Sequence, residues 1–200
     1  MIGREFFQRD PVTCARELIG CELIWKSCAG IIVETEAYAA IGDEACHTFA
    51  RPSARAFIAN HEAGAAYVYF NYGMYWLLNV LVKGGSEDGF VLIRALEPTR
   101  GAPMMQRRRF PDSGGKARPV EMLCSGPGKL TIALGVNDRD HGRDLCQTEQ
   151  IGFRAPNHRT ISWVSDVRIG ISKAAHLPWR FLAPGNSFVS AKPSSVRQTS

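Results

Sequence analysis

Two glutamates, Glu34 and Glu36, stand two places apart in the run Ile-Ile-Val-Glu-Thr-Glu-Ala-Tyr that ends at Tyr38. On an extended strand that spacing sends both carboxylates to one face. Like charges held together repel, and burial adds to the cost of ionisation, which is the usual preparation of a carboxylate for acid or base work. Strand glutamates alternating with Val33 and Thr35 also make an ordinary solvent face, and the pair alone does not choose between the two readings. Tyr38 and His47 follow within a dozen residues. An aromatic ring and an imidazole can hold a flat heterocycle between them, although a single histidine after a loop is more often a structural donor.

A second concentration of chemistry lies in YVYFNYGMYWLLN, Tyr67 to Asn79. Its two halves have strand-forming composition, and Phe-Asn-Tyr-Gly between them supplies residues that tolerate the positive φ of a hairpin loop. Tyr72 is therefore expected near the tip. Residues two apart share a face, so Met74, Trp76 and Leu78 form one stripe and Tyr75, Leu77 and Asn79 the other. An aromatic knuckle at a tip either packs beneath a neighbouring loop or is offered to a partner. On a basic protein it can enter the gap left by a nucleotide pulled out of the stack.

The remaining composition sets bounds on these readings. Two hundred residues with 45% hydrophobic content suffice for one well-filled domain, and no composition shift divides them. The net charge of +5 and a pI near 9.0 favour an anionic partner without demanding one. No stretch approaches the roughly 18 apolar residues of a membrane helix, and the first residues lack a leader's apolar run, so a cytoplasmic, nucleoid-associated protein is expected. The six cysteines form no C-x-x-C pair, which points to reduced thiols and away from zinc. Asp138, Asp140 and Glu149 fall at three positions of a calcium loop, but Gly142 comes one place early and the fifth ligand is missing. Neither metal nor organic cofactor is expected.

These groups need elements to position them. The sequence predicts a helix from Pro11 to about Leu18 capped by Asp10, and paired strands CELIW and IIVETEAY joined by KSCAG. Further expectations are a helical tendency over Ala54 to Asn60, the aromatic hairpin, a strand FVLIRAL, and helices in RGAPMMQRRR and after Pro127. A strand pair over Ser162 to Ile171 and Phe181 to Val189 would close the fold, with a core of about 5–190 and a loose tail over 191–200. Many strands, few helices and short connections indicate an α+β class: a single domain with a curved, largely antiparallel sheet and a protruding β-hairpin.

In register along the chain, I-V-E-T-E-A-Y, D-E-A-x-H, Y-V-Y-x-x-Y-G-M-Y-x-x-x-N, L-I-R-A-L-E-P and C-S-G-P-G-K-L resemble the alkyladenine (3-methyladenine) DNA glycosylases from about Glu5 to Ser190. Between the two carboxylates that spacing alone cannot separate, the resemblance selects Glu36 as the general base that activates water, with Arg94 beside it. It implies Tyr38, His47 and Tyr69 as the base pocket and Asn79 as the residue that excludes guanine by a clash with its exocyclic amine. Tyr72 is implied as the intercalating residue, flanked by Met74, and Ile169 and Gly170 as part of a late strand near the DNA backbone and the water. The helix start after Ser125, with Lys129 beside it, would meet a phosphate.

The implied activity is monofunctional hydrolysis of the N-glycosidic bond of damaged purines, such as 3-methyladenine, 7-methylguanine or hypoxanthine, in double-stranded DNA by a monomer. The sequence departs from the family pattern at Ala56, Ala59 and Asn60, close in sequence to His47, a difference that bears on substrate range or the pocket wall. Arg107, Arg108 and Arg109 are either a steering patch for DNA or a solvated helix face. A non-catalytic nucleic-acid-binding module of the same fold, and a sugar glycosidase using both Glu34 and Glu36, are the competing readings.

Overall fold

The computed structural model describes residues 1–156 and 161–194. Helix α1 (Pro11–Glu17) starts where expected, because Asp10 accepts the Thr13 N–H at 2.8 Å and Pro11 occupies the first turn. Strand β1 (Glu22–Trp25) then turns back into the long β2 (Cys28–Ala39). Trp25 lies opposite Cys28, so most of the expected KSCAG loop is strand and only Lys26 and Ser27 make the turn. Lys26 takes φ 57, the left-handed conformation that a two-residue hairpin requires.

Two short helices, α2 (His47–Ala50) and α3 (Pro52–Asn60), lead into the hairpin β3 (Ala66–Asn71) and β4 (Tyr75–Val82), followed by β5 (Gly89–Arg100). Helices α4 (Ala102–Arg109), α5 (Glu121–Cys124) and α6 (Pro127–Leu134) come next. Short strands β6 (Ile151–Arg154), β7 (Val164–Asp166) and β8 (Arg180–Leu182) complete the chain.

The sheet runs β3-β4-β5-β2-β1-β6 with antiparallel neighbours, and β8 joins β7 to β2, giving a curled half-barrel on a single domain. Strand β2 is its axis, paired with β5 along most of its length, with β1 in its first half and with β8 over Glu34 to Glu36. One face of β2 meets α1: Val33 and Ala37 lie in the main core with Cys14, Ala15 and Leu18, and Thr35 Oγ1 donates to the Ala15 carbonyl at 2.7 Å. That burial forces Glu34, Glu36 and Tyr38 to the opposite face.

Three expectations require correction. The closing strands are shorter than read: β7 ends at Asp166 and Ile169 and Gly170 form a bend, while β8 ends at Leu182 before Pro184 and Gly185. Gly170 and Gly185 take φ 75 and φ 73, which ends extended pairing. The tail is not loose at its start, because Ala191 accepts from Arg180 and Ser194 donates to Asp166; its residues 195–200 lie outside the described residues. Of the three arginines of α4, Arg107 is exposed as a solvated face requires, but Arg108 and Arg109 are tied to the fold. Arg108 Nη1 donates to the Ala133 and Leu134 carbonyls at 2.9 and 2.8 Å, closing the C-terminal end of α6, and Arg109 Nε donates to Leu123.

Candidate active site

Glu34 and Glu36 are both fully buried, which removes the solvent-face reading of the pair. The β2–β5 register is irregular between Ile32 and Thr35, so that Glu34 lies opposite Ala95 and Thr35 opposite Ile93, and Arg94 sits in this break. Its guanidinium reaches both carboxylates, Nε to Glu34 Oε1 at 2.8 Å and Nη1 to Glu36 Oε2 at 3.1 Å.

The two glutamates then differ sharply. Glu34 also accepts from Arg180 Nε at 2.8 Å, from the Ser190 N–H at 2.6 Å and from Ser190 Oγ at 2.8 Å. Burial alone would raise its pKa, but Arg94, Arg180 and the Ser190 amide together hold it below the usual carboxylate range. Glu36 has fewer partners: the Tyr38 hydroxyl donates to Oε2 at 2.8 Å, the Ile169 N–H to Oε1 at 2.7 Å, and Arg94 completes the set.

All three partners of Glu36 line one cavity of about 410 Å³. His47, Tyr69 and Asn79 line it too, as do Gly170 and the hairpin-tip Tyr72. The hairpin register explains this convergence, since Tyr67 lies opposite Asn79 and Tyr69 opposite Leu77, while Leu78 and Val68 turn to the core. Asn79 Nδ2 donates to the Tyr67 carbonyl at 3.1 Å, which fixes its amide. His47 opens α2, its ring 4.3 Å from that of Tyr69 and its Nδ1 3.1 Å from the Tyr67 hydroxyl. Burial and then the nearby Arg51 push its pKa from 6.5 down to about 4, so the imidazole is neutral at neutral pH. Burial likewise pushes the Tyr38 and Tyr69 phenols up, and both keep their protons.

Tyr72 occupies the tip with φ 50 and is 78% exposed, so the packed reading of that tyrosine fails. Met74, also exposed, stands beside it but does not line the cavity. Lys129 is exposed and its Nζ lies 3.5 Å from Ser125 Oγ; it too is outside the cavity, although Pro127 at the start of its helix lines the mouth. Ala56, Ala59 and Asn60 fall on the exposed side of α3, whose buried residues are Ala54 and Phe57, and none of them lines the cavity. The unusual stretch is therefore not the pocket wall. The carboxylate of Asp140, considered for a calcium loop, is spent on the Asn137 N–H and on Arg143.

Several participants were not singled out from sequence. Ser190 joins the carboxylate cluster from 156 residues away, with no local signal. Arg51, whose guanidinium lies 5.8 Å from the Tyr69 ring centroid, and Phe90 also line the cavity. Asp43 and Arg168 pair behind Tyr38; Asp43 lies inside the D-E-A-x-H run and Arg168 within the strand expected over Ser162 to Ile171, but only the fold brings the two together.

Glu36 itself does not line the cavity, so the site is a buried carboxylate set behind an aromatic-walled cavity and below an exposed tyrosine at a hairpin tip, an arrangement suited to chemistry on a flat heterocycle. Residues 5–187 match the model of the methylpurine-DNA glycosylase family, and the chain belongs to that family. Among its relatives, a protein of Rhizobium johnstonii is 41% identical over 94% of this chain and 88% of its own length. One of Chlorobium luteolum is 37% identical over 96% and 98%, and one of Rubrobacter xylanophilus 41% identical over 90% and 92%. All three are provisionally named 3-methyladenine DNA glycosylases. Among the described residues no helix is long and apolar enough to cross a membrane.

Proposed function

We propose that this DNA glycosylase hydrolyses the N-glycosidic bond of damaged purines, 3-methyladenine, 7-methylguanine and hypoxanthine among them, in duplex DNA, and leaves an abasic site. Tyr72 fills the gap left by the displaced nucleotide, with Met74 flanking it, and the base enters between Tyr38 and the His47 and Tyr69 rings. The purine leaves with the bonding electrons, and positive charge develops on the sugar close to the Glu36 carboxylate. Water adds to the sugar carbon as Glu36 takes its proton, with Arg94 and the Ile169 N–H holding the carboxylate in place; Gly170 leaves the bend open beside it.

A methylated purine already carries positive charge and leaves readily. Stacking on electron-rich phenols that stay protonated adds a cation–π attraction of roughly 0.5 to 2 kcal/mol. Asn79, its amide fixed by Tyr67, presents a rigid edge that penalises the exocyclic amine of guanine, so that only a methylated guanine with its weakened bond is removed. Lys129, beside the start of α6, meets a backbone phosphate. The protein acts as a monomer on nucleoid DNA, and no step calls for a lysine nucleophile.

The observation that carries this reading is that every group holding Glu36 also faces the cavity. It speaks against a silent binding module, which has no use for a buried carboxylate where an anionic ligand must enter. A two-carboxylate sugar glycosidase is opposed by Glu34, whose oxygens are occupied by two arginines and Ser190. The test is incubation with duplexes holding single hypoxanthine, 3-methyladenine or 7-methylguanine residues, followed by alkaline cleavage. Strand breaks at the lesion are expected; intact strands for all three would reject the reading.

A further inference from the structure

Arg168 has no exposed side-chain surface, and its guanidinium meets several segments at once. Nη1 donates to the Ala37 carbonyl at 2.9 Å and to Asp43 Oδ2 at 2.5 Å, and Nη2 to Asp43 Oδ1 at 2.8 Å and to the Ala174 carbonyl at 3.3 Å. The guanidinium carbon lies over the Tyr38 ring, 4.6 Å from the centroid, and 5.3 Å from that of Trp179. Tyr38 lines the cavity and Arg168 does not, so the guanidinium backs the ring from behind. Asp43 in turn accepts the Ala39 and Ala45 N–H groups at 3.3 and 3.1 Å, which sets the course of the loop that delivers His47. The residue after Arg168 is Ile169, whose N–H holds Glu36 at 2.7 Å.

Thus one side chain ties together the strand end bearing Tyr38, the loop leading to His47 and the bend bearing the Ile169 N–H. Stability does not require an ion pair here, since buried pairs are commonly replaceable by apolar residues of similar volume. Arg168 Nε moreover is buried without a hydrogen-bond partner, a defect that an apolar core would avoid. Nor is the charge itself the purpose, because a carboxylate bound to both guanidinium nitrogens cancels most of the field at the far face of the ring. What remains is geometry.

We propose that Arg168, held by Asp43, is a positioning residue for base excision: it fixes the Tyr38 ring from behind and aims the Ile169 N–H at Glu36. This inference rests on the glycosylase reading, and its test separates the two. The wild-type protein, the double variant Asp43→Asn with Arg168→Met, and the single variant Arg168→Lys are compared on two duplexes. One duplex carries hypoxanthine, for the single-turnover excision rate. The other carries a stable abasic analogue, for affinity, since it engages the Tyr72 wedge but offers no base to Tyr38.

The double variant removes both charges together, so no buried ion is left unpaired. Arg168→Lys keeps the charge opposite Asp43 but cannot fork across four acceptors or set a guanidinium over the ring. Both variants are expected to lose about tenfold or more in excision rate, in line with the cost of misplaced reacting groups, while abasic-duplex affinity stays within about threefold. Wild-type rates in either folded variant would overturn the proposal, as would a fall in abasic-duplex affinity equal to the fall in rate. If the double variant does not fold, Arg168→Lys decides by the same criteria. An inert wild type would be the failure of the glycosylase reading itself.

Discussion

Arg94 bridges two carboxylates from one strand, with Nε 2.8 Å from Glu34 and Nη1 3.1 Å from Glu36. Both glutamates are fully buried, so this one guanidinium carries much of what makes their charges tolerable. Arg94→Met would leave Glu34 to Arg180 and Ser190, and Glu36 with two neutral donors only. We expect a loss of roughly 3–5 kcal/mol in urea unfolding, the usual result of removing one partner from a buried pair. A loss below about 1 kcal/mol would show that the cluster relaxes or admits water.

Ser190 offers a gentler probe of the same cluster. Its N–H and Oγ both donate to Glu34 while its Oγ accepts from Arg94. Ser190→Ala keeps the amide and should destabilise the fold by about 1–3 kcal/mol, since buried charged groups lose a hydrogen bond. Truncation after Ser187 removes the amide as well and should cost more. Equal denaturation midpoints for the truncated and full chains would mean that this segment does not hold Glu34.

The pH response of His47 follows from its depressed pKa of about 4 against an ordinary 6.5. The fold favours the neutral ring, so below about pH 6.5 the unfolded chain takes up the proton first. Stability should therefore fall as the pH drops from 6.5, and this contribution levels off below about 4, where the folded ring titrates as well. NMR titration of the His47 ring protons should show little change down to pH 5. A midpoint near the ordinary value would place the ring in water.

Tyr72 separates binding from folding. With 78% of its surface exposed and a left-handed backbone, it contributes little to the core, and Tyr72→Ala should change stability by no more than about 0.5 kcal/mol. The same variant should bind a lesion duplex more weakly than the wild type and differ little on a free nucleoside. Equal losses on duplex and nucleoside would exclude a wedge.

Much of this architecture was legible in the sequence because it follows from local rules. Asp10 and Pro11 start α1, Pro127 and Gly135 bound α6, and the period of two along β4 separates Leu78 from Leu77 and Asn79. What could not be read is long-range. Arg180, Arg168 and Ser190 reach β2 or its loop from more than a hundred residues away, and no spacing announces which arginine meets which acid. The strand expected over Ser162 to Ile171 stops at Asp166 because the chain bends at Ile169, which spends its N–H on Glu36, a partner no local pattern announces. Proximity of Ala56, Ala59 and Asn60 to His47 in sequence left open an effect on substrate range or on the pocket wall; helical periodicity turns these three to solvent while Phe57 between them faces inward.

The most direct measurement is single-turnover excision from a hypoxanthine duplex by Glu36→Gln and Glu34→Gln, with lesion-duplex affinity recorded alongside. Glu36→Gln should bind DNA as the wild type does and release no base, whereas folded Glu34→Gln, though less stable, should continue to excise. Full activity in Glu36→Gln, or loss of excision confined to Glu34→Gln, would contradict the assignment of the base.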